Sequence, residues 1–291
     1  MRGAERVAAL AISFVSSFAV ANAQSATPTG PCEQPGNIGA IVDRPGLGRP
    51  TADNGSPCVV PSSQVVVEAG YRAQSTPGQS GSSTLDTYPL VLLRAGLGGH
   101  AELIVQPPAI STRSGAALGG TFVPAHGLQD TGVGVKWMLA DRPRFQDAVE
   151  AFISVPTGTP LGTTGFSAGA PTYTLTYTAS FTLTGNLSLS VTQNAIAGAA
   201  PLDPAGATRF FSYQPSLTIG YAFAPNFTLL AGDQIAAPLA PGAGTGNRAL
   251  IAIQRVLSPA IVLDVDYEVN ALPAAPAFRQ HAFGAGVGLQ L

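Results

Sequence analysis

Gly165-Phe166-Ser167-Ala168-Gly169 has the spacing of a serine nucleophile. The G-x-S-x-G elbow exposes its serine only where a strand turns sharply into a helix. Here a Gly/Thr-rich loop precedes the pentapeptide and a strand pattern follows it. A hydrolase built on Ser167 or on an inward carboxylate is therefore the weakest reading, and no catalytic residue is assigned. His100, His126 and His281 are scattered without the spacing of metal ligands. Gly242, Gly244 and Gly246 have no helix after them to complete a phosphate cradle. No metal, no cofactor and no enzymatic activity are expected. The two cysteines, Cys32 and Cys58, are expected to form a disulfide, the common fate of a cysteine pair in an exported chain.

The residues best placed for function are charges that alternate with apolar neighbours. Period-two parity puts Glu68, Arg72, Arg94, Glu102, Lys136, Glu150, Asp264, Asp266 and Glu268 on the face opposite the apolar one. An Arg or Lys on a lipid-facing surface costs about 2–4 kcal/mol near the midplane, so segregation of charge to one face is what a membrane wall requires. Asp264, Asp266 and Glu268 form a column with about 7 Å between successive members. Its available cations are Arg72, Arg94, Lys136, Arg248 and Arg255, the last beyond its strand's end and able to bend inward. Such charges either pair and brace the wall or line a solute path and bias it by charge. Both uses remain open.

The element that fixes this parity is Pro171 to Gln193. From Thr172 to Thr184, Tyr173, Leu175, Tyr177, Ala179, Phe181 and Leu183 alternate with Thr and Ser without a break. Gly185-Asn186 turns the chain, and Leu187, Leu189 and Val191 continue the apolar face. One face lies in oil and the other in something wet. Soluble strands usually run to about 5 or 6 residues, whereas a tilted strand crossing a bilayer needs about 9–11.

Composition agrees. Charged residues make up 10% of the 291, against about 25% in ordinary soluble domains. No internal apolar run is long enough for a spanning helix, which leaves a closed barrel as the way to satisfy backbone groups in lipid. A net charge of -2 without basic runs argues against nucleic acid. Arg2 and Arg6, the apolar stretch Val7 to Val20 and the small-x-small site Ala21-Asn22-Ala23 read as a signal peptide over residues 1–23. Residues 24–63, rich in Pro and Gly, read as a periplasmic extension or plug, and residues 64–291 as an outer-membrane barrel.

Twelve strands are expected, at about Gln64–Ala73, Thr87–Gly96, His100–Gln106, Gly127–Leu139, Asp147–Val155, Thr172–Thr184, Leu187–Gln193, Phe211–Phe223, Phe227–Gly232, Asn247–Arg255, Ala260–Glu268 and His281–Leu291. Their connections alternate between short and long, with Ser75 to Asp86 and Pro107 to His126 among the long ones. Short periplasmic turns and long external loops are the habit of outer-membrane barrels. An even count puts both termini on the periplasmic side and pairs the first strand with the last.

Gly127-Leu128-Gln129-Asp130-Thr131-Gly132-Val133-Gly134-Val135-Lys136-Trp137, Ser154-Val155-Pro156-Thr157-Gly158 and Pro215 to Asn226 resemble the outer-membrane family named for the MetA pathway of phenol degradation. The resemblance spans about Gly127 to Gln234. It implies an outer-membrane barrel and uptake of small aromatic or hydrophobic solutes, and it carries over no site residues. The expected protein is thus all-β, a transmembrane antiparallel barrel with an irregular N-terminal extension. It is expected to act as a passive channel or transporter in the Gram-negative outer membrane, with lipid and a small solute as partners. The alternative is a structural or adhesive barrel whose external loops bind a partner.

Overall fold

The computed structural model describes residues 32, 56–78, 81–98, 100–115, 125–160, 166–167, 169–199, 209–236, 246–271 and 279–291. Fourteen segments form one antiparallel sheet. They are β1 (Val65–Gly78), β2 (Gly81–Gly98), β3 (Ala101–Gln106), β4 (Ile110–Gly115), β5 (Ala125–Leu128), β6 (Thr131–Arg142) and β7 (Phe145–Val155). The rest are β8 (Thr172–Thr184), β9 (Leu187–Ala199), β10 (Arg209–Ala224), β11 (Phe227–Ala236), β12 (Gly246–Ser258), β13 (Ile261–Ala271) and β14 (Arg279–Gln290). β1 pairs with both β14 and β2, so the sheet closes on itself; among the described residues β5 has its ladder with β4 alone.

The fourteen segments make twelve walls. On β2, Thr87 faces Ser111 of β4 and Leu93 faces Val105 of β3, so the register runs unbroken from β4 into β3. On the next wall, Leu128 of β5 faces Ile110 and Val133 of β6 faces Val105, again in one register. β3 and β4 are thus one strand interrupted at Pro107-Pro108, which have no N–H to give the ladder. β5 and β6 are one strand interrupted at Gln129-Asp130. One main-chain and one side-chain bond repair this second break: the Gln129 main-chain N–H donates to Ala109 O at 2.8 Å, and Asp130 Oδ1 accepts the Gly158 N–H at 3.0 Å.

At the same level β1 and β2 slip by one residue between Gly70 and Arg72, opposite Tyr88-Pro89. Two residues there oppose one, which is a bulge, and Pro89 again lacks a donor. Three adjacent walls are therefore irregular along one line. Beyond that line the inward face on β2 changes from Leu90, Leu92 and Arg94 to Leu85 and Thr87.

Two expected loops are corrected by this. Pro107 to His126 holds β4 and the start of β5, and Ser75 to Asp86 is mostly strand because β1 runs to Gly78 and β2 begins at Gly81. Bulged strands with prolines hide the period-two signal there. The expected pairing of first with last strand is observed, with Val66 opposite Gln290.

Outward faces carry Val135, Trp137, Leu175, Leu217, Ile219, Ile251, Ile253 and Val265, all exposed. Aromatic pairs sit at both rims. Phe145–Phe181 and Phe223–Phe227 lie at the short-turn end, with centroids 5.1 and 5.6 Å apart. Tyr71–Tyr88 lies toward the other, at 6.4 Å. An apolar band between two aromatic girdles is the exterior of a membrane barrel.

Candidate functional site

Inside the barrel, at the short-turn end, Arg94 is the centre of a fully buried network. Its Nε donates to Glu102 Oε1 at 2.9 Å, Nη1 to Glu68 Oε1 at 2.9 Å and Nη2 to Glu102 Oε2 at 2.9 Å. All three side chains are 0% exposed. The ladder builds the rest: Glu102 lies opposite Lys136, and Lys136 opposite Glu150. Lys136 Nζ stands 3.4 Å from Glu102 and 4.0 Å from Glu150. Buried ions are tolerated only when paired and hydrogen-bonded, and this set of three acids and two bases is nearly balanced.

Main chain supplies three further hydrogen bonds to that network. Cys58 O accepts from Arg94 Nη2 at 3.1 Å, Ser56 O from Lys136 Nζ at 3.0 Å, and the Val60 N–H donates to Glu102 Oε2 at 2.7 Å. Ser62 forms a parallel bridge to Gly96. A Cβ on Gly96 would lie 2.0 Å from Pro61 O, so glycine is what lets this backbone approach. Residues 56–62 therefore lie inside the barrel's short-turn end. The expected Cys32–Cys58 disulfide is present, and both cysteines pack with Val59, Val60, Val66, Met138 and Val262.

Toward the long-loop end, Arg72 forms a two-pronged pair with Glu268, at 3.0 and 2.7 Å. They stand on β1 and β13, with β14 between them. Arg72 faces Gly284 and Glu268 faces Ala282, so no bulky side chain blocks the reach. Below them, a Cβ on Gly286 would meet Asp264 Oδ1 at 2.9 Å. Asp266 is 3% exposed, and neither of its carboxylate oxygens has a hydrogen-bond partner among the described residues. Above this column is a cavity of about 270 Å³, bordered by Arg72, Gln74, Leu85, Thr87, Leu90, Gln129, Arg248 and Asn270.

Among the nine charges singled out from sequence, Glu68, Arg94, Glu102, Lys136 and Glu150 come together at one level. Arg72, Asp264, Asp266 and Glu268 come together at another. Arg255 does not bend inward. It belongs to β12, shares the outward face of Ile251 and Ile253, and lies 5.0 Å from the Phe227 ring centroid. Sequence reasoning missed Thr87, Gln129 and Asn270. The proline-marked breaks were the available signal for the first two, since a break changes which residues face in.

The opposite half of the wall, β8 to β11, carries hydroxyls and amides instead. Thr176 Oγ1 donates to Asn194 Oδ1 at 2.7 Å, Thr178 meets Thr192 at 3.4 Å, and Ser212 and Thr218 are buried on β10. Ser167 is buried in a loop. Its N–H donates to Thr159 O at 3.0 Å and its hydroxyl accepts the Gly169 N–H at 3.1 Å. These contacts describe a turn. His126 contacts Thr112 and His281 contacts Tyr267, so the histidines are not brought together. Among the described residues, no group of three or more His, Cys, Asp or Glu is placed to hold a metal ion.

Residues 48–248 match the family described as "Putative MetA-pathway of phenol degradation". The chain belongs to that family. Among solved structures, it is similar to an outer membrane channel from Pseudomonas putida F1, with a TM-score of 0.65 and 11% identity over 80% of this chain and 97% of that one. It is also similar to the beta domain of the Bordetella autotransporter BrkA, with a TM-score of 0.52 and 9% identity over 77% of this chain and 98% of that one. Comparison with curated proteins finds no match. The fold of this family member is thus that of outer-membrane barrels, a closed transmembrane antiparallel barrel of twelve strands.

Proposed function

We propose that the chain is a passive channel of the Gram-negative outer membrane for small solutes, aromatic or hydrophobic ones among them, and that residues 56–62 close it from the short-turn end. In this reading residues 1–23 are a cleaved signal, 24–63 an extension whose last part is the plug, and 64–291 the barrel. The short-turn end faces the periplasm, and the protein is not an enzyme. Glu68, Arg94, Glu102, Lys136 and Glu150 hold the plug. Arg72, Asp264, Asp266 and Glu268 border the solute path above it.

The observation that carries this is the nature of the obstruction. At the short-turn end the lumen is filled by a stretch of main chain bound through Ser56 O, Cys58 O and Val60 N–H, not by side chains of the wall alone. A wall packed with its own side chains is a permanent core. A tethered peptide with a cavity above it is a stopper that can leave. The shared fold with a solved outer membrane channel supports the same reading.

Planar-bilayer recording of the full mature chain tests it. The expected result is a low-conductance closed state with stepwise openings. A protein that stays silent even after the plug is displaced would favour the scaffold or adhesive barrel instead.

A further inference from the structure

Among the described residues, Arg255 is the one charged side chain on the outward faces of β11, β12 and β13 at the short-turn end. Neither the plug nor the lumen uses it. We propose that Arg255, with Phe227 and Phe223, is a seat for the phosphate of an anionic phospholipid whose headgroup carries no amine. That the leaflet is the periplasmic one rests on the orientation given under the proposed function; the chemistry of the seat does not.

Its depth follows from the ladder. Arg255 lies directly opposite Phe227 on β11 and Leu263 on β13, and residues so paired share a face. Leu257, on the same face and nearer the turn, is exposed. The cation is thus embedded in apolar surface instead of standing at its border. Arg255 is three residues from Ser258, where β12 ends. That stretch covers about 10 Å along a strand, or about 7 Å of depth at a tilt of about 45°. A headgroup layer is about 5–7 Å thick on each side of the hydrocarbon, so the guanidinium lies at its base, where the phosphates are. The Phe223–Phe227 pair marks the same level.

The phosphate follows from unused donors. Arg72 and Arg94 spend theirs on carboxylates. Arg255 has no hydrogen bond or ion pair among the described residues, and its contact is the Phe227 ring, 5.0 Å away. A ring attracts the charge but leaves the N–H fork without an oxygen acceptor. Unpaired donors on an apolar surface are costly, and a phosphate takes them two at a time. A free phosphate ion would have to leave water for a surface of Ile253, Leu257 and Leu263. A lipid phosphate is already there, and its acyl chains meet those side chains.

The headgroup class follows from the missing acid. An ethanolamine headgroup brings an ammonium that calls for a carboxylate beside the arginine. On the outward faces of β11 to β13 the one described acid is Asp233, opposite Leu217 and Ala249. It lies about 20 Å from Phe227 along the strand. A glycerol headgroup has no ammonium to place. The opposite side of the barrel gives the contrast. There Arg142 lies opposite Phe145, but Asp147 stands two positions away on the same face, opposite Ala140 and Ala179. Charge at that place is balanced, and at Arg255 it is not.

Native mass spectrometry of the full mature chain in detergent micelles tests the proposal. The probes are dioleoylphosphatidylglycerol, dioleoylphosphatidylethanolamine and inorganic phosphate. The first phosphatidylglycerol should bind about fivefold tighter than the first phosphatidylethanolamine, which is what one arginine near the lipid surface gives. Arg255→Gln should remove that ratio, and it strands no partner, so the barrel still folds. Arg255→Lys, which keeps the charge and loses the fork, should retain part of it. Phe227→Leu should weaken phosphatidylglycerol by about threefold. Arg142→Gln, with the same loss of charge, should leave the ratio in place. Equal affinity for the two lipids, or an unchanged ratio in Arg255→Gln, overturns the proposal. Displacement of the lipid by millimolar inorganic phosphate would make this a plain anion site and overturn it as well. Lipid retention is read without conductance, so the two readings separate. A silent barrel with the ratio upholds this seat and defeats the channel, and a conducting barrel without the ratio does the reverse.

Discussion

The two halves of the barrel wall solve the same problem differently. From β12 through β14 and β1 to β7 the inward face carries acids and bases in two buried groups. From β8 to β11 it carries Thr, Ser, Asn and Gln, with no inward charge among residues whose side chains are described. Hydroxyls such as Thr176 and Asn194 satisfy one another across adjacent strands. The charges pair across adjacent strands too, but they also take partners from further away: Arg94 reaches the peptide at Cys58, and Arg72 reaches over β14 to Glu268. A neutral polar wall closes on itself, whereas a charged one must recruit. That is why residues 56–60 are bound on the charged side, and why removing one member there should cost far more.

The largest effect is expected at Arg94. Arg94→Met takes the Arg94 cation from buried Glu68 and leaves Glu102 with Lys136 alone, and should lower stability by about 3–5 kcal/mol. Urea titration of the micellar barrel, or loss of its heat-modifiable mobility, reads this out. A stability close to that of the parent protein would mean that water reaches the network and that the two halves are not so different.

Displacing the plug should come next. Replacing residues 56–61 with a Gly/Ser linker of equal length, together with Cys32→Ser, removes the disulfide and the Val59 and Val60 packing that seat the segment, while keeping Arg94 paired to its acids. Several-fold higher single-channel conductance is expected, and liposome swelling should follow. Unchanged conductance in both assays would assign the plug a purely structural part.

A smaller change should follow Asp264→Asn with Asp266→Asn. These acids lie below the cavity, and losing them should move the reversal potential in a salt gradient away from cation preference without unfolding the barrel. An unmoved potential would make the column part of the bracing. The smallest change is expected on the neutral half. Thr176→Val removes one hydroxyl donor from Asn194 and should cost about 1 kcal/mol, with the reversal potential unaltered. A loss comparable to that of Arg94→Met would erase the distinction between the halves.

Much of this was legible in the sequence because parity is a strong constraint. Uninterrupted alternation from Thr172 to Thr184 fixed which face of β8 is wet, and the same rule put Glu68, Glu102, Lys136 and Asp266 inside. The rule fails where the ladder breaks. Pro89, Pro107 and Pro108 cannot donate, so the count of two resets there, and Leu85, Thr87 and Gln129 change face in a way that no period shows. Arg255 failed for a related reason: its strand continues to Ser258, three residues past the expected end, and ordinary alternation then points it outward. A plug was one of two expectations for residues 24–63, but the contacts that hold it were not derivable. Main-chain carbonyls at Ser56 and Cys58 have no side-chain pattern, and only their partners, an excess of buried charge at one level, hint that something must meet them.

The glycines of β14 bear on the history of the barrel rather than its finished form. Arg72 and Glu268 are 196 residues apart, and they meet across the strand that seals the cylinder. Their union requires the chain's two ends to have found each other, so it is among the last contacts that assembly can make. A strand with Gly284, Gly286 and Gly288 on its inner side presents nothing to snag as it slides between its neighbours. The salt bridge then closes over it like a clasp, and the final step of zipping is fastened from within.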